Sequence, residues 1–184
     1  TITTSNPVRA RFYEYPRFTY PWHFHSEYEI IYVEKGEGDC LVGDSIISYS
    51  KGDLILFGSE LPHSMQSPPD DGEESDNEEK SELKVRGVNI QFEKDFMHYS
   101  ISQYSQFIPI RNLLEDACRG IKFTITRSGK IIKLLEQIPS AKGADQIILL
   151  LSLLQMMATS NHKKYLTTSH YTPSPSIMRN ERME

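Results

Sequence analysis

Apolar and polar residues alternate in short runs over the first half of the chain, and the period lengthens in the second half. RARFYEYPRFTYP (residues 9–21) is rich in aromatic side chains that favour extended backbone. YEIIYVEKGEGDCLVGD follows, with turn signals at Lys35-Gly36 and Gly43-Asp44, and then SIISYS and KGDLILF. Short strands at this spacing, parted by glycine turns, predict a β-sandwich or barrel. In LKVRGVNIQF, Val88, Ile90 and Phe92 share one face of a further strand. From Asp95 the spacing is helical. Ile110, Leu113, Leu114, Ala117 and Ile121 recur at helical intervals, with Gly120 as the stop. IKFTIT predicts one more strand, and TRSGKIIKLLEQI a short helix ended by Pro139. GADQIILLLSLLQMMATSN is the strongest helix, apolar nearly all round, which requires cover on more than one side. Its own domain can cover one side, and a second copy of the chain is the expected cover for the other. Ile147, Leu150, Leu151, Leu154 and Met157 are the expected dimer seam.

Charge changes this picture in one place. Residues 67–82 carry eight acids and one lysine, a net −7 that exceeds the −5 of the whole chain. With no apolar residue beyond Pro68, this stretch cannot bury enough surface to order itself and reads as a flexible acidic loop between two strands. The remainder is nearly neutral and shows no basic stripe with interleaved aromatics, so these residues give no nucleic-acid footprint of their own. A chain of 184 residues with 38% hydrophobic content and mean hydropathy −0.47 can bury a core without staples. The longest apolar run, residues 147–158, is too short to span a bilayer. The first residues lack the apolar core of a signal peptide, and Cys40 and Cys118 show no pairing pattern. The expectation is a cytoplasmic protein with no membrane partner. TTSHYTPSPSIMRNERME reads as linker that turns polar-helical at its last residues.

The chemistry sits in PWHFHSEYEIIYVEKG, residues 21–36. Alternation along a strand points His23 and His25 the same way, their β-carbons about 7 Å apart, close enough for two imidazoles to converge. Glu29 has the same parity, but four extended residues span about 13 Å, so it joins them only if the chain bends at Ser26-Glu27. GDLILFGSELPHS delivers His63 just past another strand. Three readings stay open on these residues: a metal site suited to zinc, iron, manganese, nickel or copper, a metal-free ligand pocket, or polar lining.

His23-x-His25-x3-Glu29-x6-Gly36 resembles the first motif of the cupin superfamily, and Gly52-x5-Gly58-x-Glu60-x2-His63 the second. The turn residues differ from the usual motif: Gly58 and Glu60 stand for proline and glycine, Ser67 for asparagine and Arg17 for glycine. The run WHFHSEYEIIYVEKGEG…KGDLILFGSELPHSM also resembles the sensory domain of AraC/XylS-type transcription regulators. That resemblance implies a mainly β fold, a cupin-like (double-stranded β-helix) barrel followed by a small helical dimerisation subdomain. The barrel would occupy residues 1–93, the helical part 94–164, and the linker with the start of an absent helix-turn-helix domain 165–184. It implies a domain that is not an enzyme, senses a small effector (a sugar or other metabolite), forms a homodimer, and meets DNA only through a further C-terminal domain. His23, His25, Glu29, His63 and Tyr13 are the expected effector contacts, with Phe12, Tyr15 and Phe18 closing over them beside Tyr13. No cofactor is required by the resemblance; a divalent transition metal on His23, His25, Glu29 and His63 is the candidate. The alternative is a cupin metalloenzyme of dioxygenase or isomerase type that uses the same four residues.

Overall fold

The computed structural model describes residues 2, 3, 5–69, 84–96, 103–125 and 129–172. The acidic loop lies outside them from residue 70 on, as does the expected polar-helical end of the chain. The described strands are β1 (Val8–Tyr15), β2 (Tyr28–Lys35), β3 (Gly38–Val42), β4 (Ser45–Tyr49), β5 (Asp53–Phe57), β6 (His63–Gln66), β7 (Val85–Phe92), β8 (Ile121–Thr124) and β9 (Lys163–Tyr165). The helices are α1 (Ile108–Asp116), α2 (Gly129–Gln137) and α3 (Gly143–Ala158). A six-stranded sheet runs β1-β7-β2-β5-β8-β9 and a three-stranded sheet β4-β3-β6, with every pairing antiparallel. This is a mainly β, cupin-like barrel with short helices.

The runs YEIIYV and DLILF are apolar at nearly every position because the large sheet is covered on both faces. Ile31, Val33, Ile55 and Phe57 point into the barrel, where they pack with Cys40, Val42, Tyr49 and Met65 from the small sheet. Ile30, Tyr32, Leu54, Leu56, Val88 and Ile90 point the other way, onto Ile110, Leu113 and Leu114 of α1 and onto Leu150, Leu153, Leu154 and Met157 of α3. The strand expected from IKFTIT is β8, and it joins the barrel sheet beside β5 rather than standing among the helices. No described helix is long and apolar enough to cross a membrane.

Two expectations need correction. Leu150, Leu154 and Met157 are fully buried within one protomer, on the side of α3 that faces the large sheet, so they cannot form a seam with a second copy. Ile147 and Leu151 are half-buried, and the outward side of α3 is marked by Ile148, 58% exposed. The aromatic lid also fails to appear. Residues 8–15 form a strand paired along its whole length with β7, and Tyr13 and Phe18 are barrel core. The Tyr13 hydroxyl donates to the Tyr32 carbonyl oxygen at 2.8 Å. Gly87 permits that approach, since a β-carbon there would meet the Tyr13 hydroxyl oxygen at 2.6 Å. Phe12, of opposite parity, faces outward.

Candidate functional site

His23 lies outside the regular strands but makes an antiparallel bridge to His63 at the start of β6. The His23 amide donates to the His63 carbonyl at 3.1 Å, and the His63 amide to the His23 carbonyl at 2.9 Å. Two histidines far apart in sequence are thereby fixed side by side, their ring centroids 4.5 Å apart. The chain bends at Ser26 and Glu27, the place the strand geometry required, and brings Glu29 at the start of β2 back beneath His25. Glu60 supports the bend: its amide donates to the His25 carbonyl at 2.8 Å. Glu60 adopts φ 62°, a left-handed conformation that disfavours a side chain, at the position where the motif usually has glycine.

The result is one cluster. His23, His25, Glu29 and His63 each offer a ligand atom, and these atoms all lie within 4.8 Å of one another. Tyr13 is not among them; it sits deeper on the same inner face, against Phe18 and Tyr15. The three rings are held alike. His23 Nδ1 is 2.8 Å from the Pro21 carbonyl oxygen, His25 Nδ1 3.0 Å from that of Glu27, and His63 Nδ1 2.8 Å from that of Leu61. A carbonyl only accepts, so each Nδ1 carries the proton and each Nε2 is turned toward the cluster.

Glu29 is buried and heavily bonded. Asn89 Nδ2 donates to its Oε1 at 2.9 Å and Gln91 Nε2 to its Oε2 at 3.1 Å. His25 Nε2 lies 2.7 Å from Oε2, which makes His25 a donor at both nitrogens and therefore an imidazolium in this arrangement. Burial opposes the charge on both groups. The His25 and His63 rings overcome it for Glu29 and hold its carboxyl well below the usual range. The hydrogen bond and charge of Glu29 overcome it for His25 and raise its pKa. His63 stacks on Phe57 at 4.0 Å between centroids, is 2% exposed, and its Nε2 is buried without a hydrogen-bond partner, 3.7 Å from Glu29 Oε2. A buried imidazole nitrogen aimed at a carboxylate and two further imidazoles suits a divalent transition metal or a donor group of a ligand.

Asn89 and Gln91 escaped the sequence reading. Their signal was present: they alternate with Val88, Ile90 and Phe92 and so lie on the opposite face of β7. That face is the barrel interior, where polar residues have a task, and not solvent.

Residues 6–76 match the family model described as the AraC-like ligand binding domain. No curated protein matches the chain in sequence. Among solved structures, ToxT from Vibrio cholerae strain SCE256 with a bound unsaturated fatty acid superposes with TM-score 0.51 at 16% identity, over 86% of this chain and 53% of that one. ToxT from Vibrio cholerae O395 bound to (E)-4-(8-methylnaphthalen-1-yl)but-3-enoic acid gives TM-score 0.52 at 12% identity, over 82% and 55%. The chain thus spans about half the length of ToxT, and the likeness is one of fold. Family match, barrel and inward polar cluster agree over residues 6–76, which are similar to an AraC-like ligand binding domain.

Proposed function

We propose that this chain is the ligand-sensing and dimerisation part of a cytoplasmic AraC-type transcription regulator, a binding module and not an enzyme. A small effector would bind in the barrel at His23, His25, Glu29 and His63, and its occupancy would control a DNA-binding domain elsewhere in the protein. The observation that carries this reading is the buried, unpartnered Nε2 of His63, set among converging polar groups inside a stretch similar to the ligand-binding family. The cluster's chemistry favours a class of effector. With Nδ1 turned to a backbone carbonyl, His23 and His63 present Nε2 to the cluster, and Glu29 offers only acceptors. Hydroxyl groups of a sugar or other polyol complement that set, whereas a bare carboxylate such as a fatty acid's does not. A second copy would pair through the outward face of α3, where Ile148 is exposed and Ile147 and Leu151 are half-buried.

A thermal-shift panel of sugars, polyols and fatty acids tests the reading. A true effector at a hundred times its Kd stabilises by about 2.7 kcal/mol, and His63→Gln should abolish that shift. If no hydroxylated compound stabilises the chain while fatty acids do, the assignment of effector class is overturned.

The same nitrogen supports a second reading, in which the four residues hold a divalent transition metal. Such an ion would supply a Lewis-acid centre, and the carbonyl-backed rings and amide-backed carboxylate would fix its ligands in place. Elemental analysis finding stoichiometric metal in the wild type and none in His63→Ala, together with turnover of a substrate, would move the assignment to a cupin metalloenzyme of dioxygenase or isomerase type.

A further inference from the structure

Beyond β9 the chain does not leave the barrel. Leu166 is buried in the barrel core, and its amide donates to the Gly120 carbonyl at 3.0 Å. The Thr167 amide donates to the Arg119 carbonyl at 3.0 Å, and Arg119 Nη2 returns a bond to the Thr167 carbonyl at 3.3 Å. From Thr168 on, the hold changes character. The Thr168 amide donates to Asp44 Oδ1 at 3.0 Å, its hydroxyl bonds Asp44 Oδ2, and the Tyr171 amide closes a turn onto the Thr168 carbonyl at 3.1 Å. Asp44 and Gly43 form the turn between β3 and β4. Gly43 has φ 54°, and a β-carbon on it would meet Thr167 Cγ2 at 2.7 Å and the Tyr171 ring at 3.0 Å. The seat of this segment is therefore a glycine turn that no side chain could occupy.

That turn also belongs to the wall of the candidate site. The Gly43 amide donates to the Pro62 carbonyl at 2.9 Å, and Val42 is paired with His63. One hydrogen bond and one peptide unit separate the seat of the segment from the imidazole whose Nε2 lacks a partner. Both ends of this short path carry an unsatisfied buried polar atom, His63 Nε2 at one and Thr167 Oγ1 at the other.

We propose that residues 166–171 are a strap whose seating on the β3–β4 turn is coupled through Gly43, Pro62 and β6 to occupancy of the histidine cluster. Filling the cluster fixes His63 and β6 and tightens the strap; freeing the strap loosens His63. The releasable part is the stretch from Thr168 on, which hangs on the exposed carboxylate of Asp44, while Leu166 stays buried. The proposal rests on the sensing reading of the cluster, but its mechanics are testable with zinc alone.

The test uses hydrogen exchange and zinc titration on the full chain, with Asp44→Ala and Gly43→Ala as two independent ways to unseat the strap. In both, exchange at the Thr168 and Tyr171 amides should rise about ten-fold while Leu166 and β5 stay protected. Coupling is reciprocal, so zinc should slow exchange at Thr168 in the wild type, and both variants should bind zinc about five-fold more weakly. His63→Gln should speed Thr168 exchange with no metal present. If the strap is freed in both variants and zinc affinity stays within about two-fold, coupling is overturned even though the cluster binds. Should the chain bind no zinc, the His63→Gln result decides alone, and unchanged Thr168 exchange overturns the proposal. Failure to find an effector would count against the sensing reading and leave these outcomes as they stand.

Discussion

Glu29 keeps its charge where burial alone would remove it, and His25 keeps the matching charge against the same pressure. Each has its folded pKa moved by the other, so the pair imposes a pH window on stability. The depressed Glu29 contributes fully above its unfolded value, about 4.3, and loses that contribution as pH falls through its lower folded value. The raised His25 contributes fully below about 6.5 and loses its share as pH rises through its higher folded value. The metal-free chain should therefore melt highest between roughly pH 5 and 6 as far as this pair decides it. Glu29→Gln removes both shifts and should flatten the profile; a variant profile as peaked as that of the wild type would place the pH dependence elsewhere. The amide backing gives a second expectation. Asn89→Ala deprives buried Glu29 Oε1 of its donor and should destabilise by about 1–3 kcal/mol. Much of this site was readable from residue types and spacing: two histidines of one parity, a required bend, and a third histidine after a proline. The carbonyls of Pro21, Glu27 and Leu61 that set the tautomers were not, because backbone groups carry no sequence signal.

At the scale of elements, α3 shows what periodicity can and cannot settle. An all-round apolar helix announces that it needs cover, and the structure supplies it with the large sheet and α1 against Leu150, Leu153, Leu154 and Met157. Which side is turned inward depends on partners that arrive from other parts of the chain. Core and seam residues consequently looked alike among Ile147, Leu150, Leu151, Leu154 and Met157. β2 and β5 were legible because a run of buried β-prone residues has few alternatives. β6 was not, since HSMQ is four residues long with no alternation, and β9 is three exposed residues held by pairing with β8. The helix face gives a clean contrast. Leu154→Asp places an unpaired charge in the core and should cost several kcal/mol, about 3–5 by the scale of broken buried pairs, leaving the chain unfolded or aggregated instead of monomeric. Ile148→Asp should leave the melting temperature of the protomer nearly unchanged. Sedimentation of Ile148→Asp then tests the proposed seam: a dimer that survives the substitution at wild-type strength does not use this face.

Across the whole molecule, the large sheet is common to two cores. Its inner face carries Glu29, Ile31 and Asn89 toward the small sheet, while the outer face carries Ile30, Tyr32 and Ile90 toward the helices. The covalent order does not divide along these cores. β8 follows α1 in sequence yet lies between β5 and β9 in the barrel sheet, so the chain returns from the helices to complete the wall it left. The periodicity changes near residue 93, and packing runs straight across that point. Barrel and helices should accordingly unfold as one cooperative unit. Trp22, the single tryptophan, is 51% exposed beside His23 and reports on the barrel mouth. Far-ultraviolet circular dichroism at the helical band reports on α1–α3. In urea the two signals should trace a single transition. Leu154→Ala, which removes packing between α3 and the sheet and α1 that cover it, should lower both midpoints together, by an amount corresponding to about 2–5 kcal/mol. Separate transitions, with the helical signal lost first and the Trp22 signal keeping its wild-type midpoint, would show that the barrel stands without its helices. In that case an effector in the barrel could reach the outward face of α3 only weakly, because the sheet between them would not be shared in energy as it is in space.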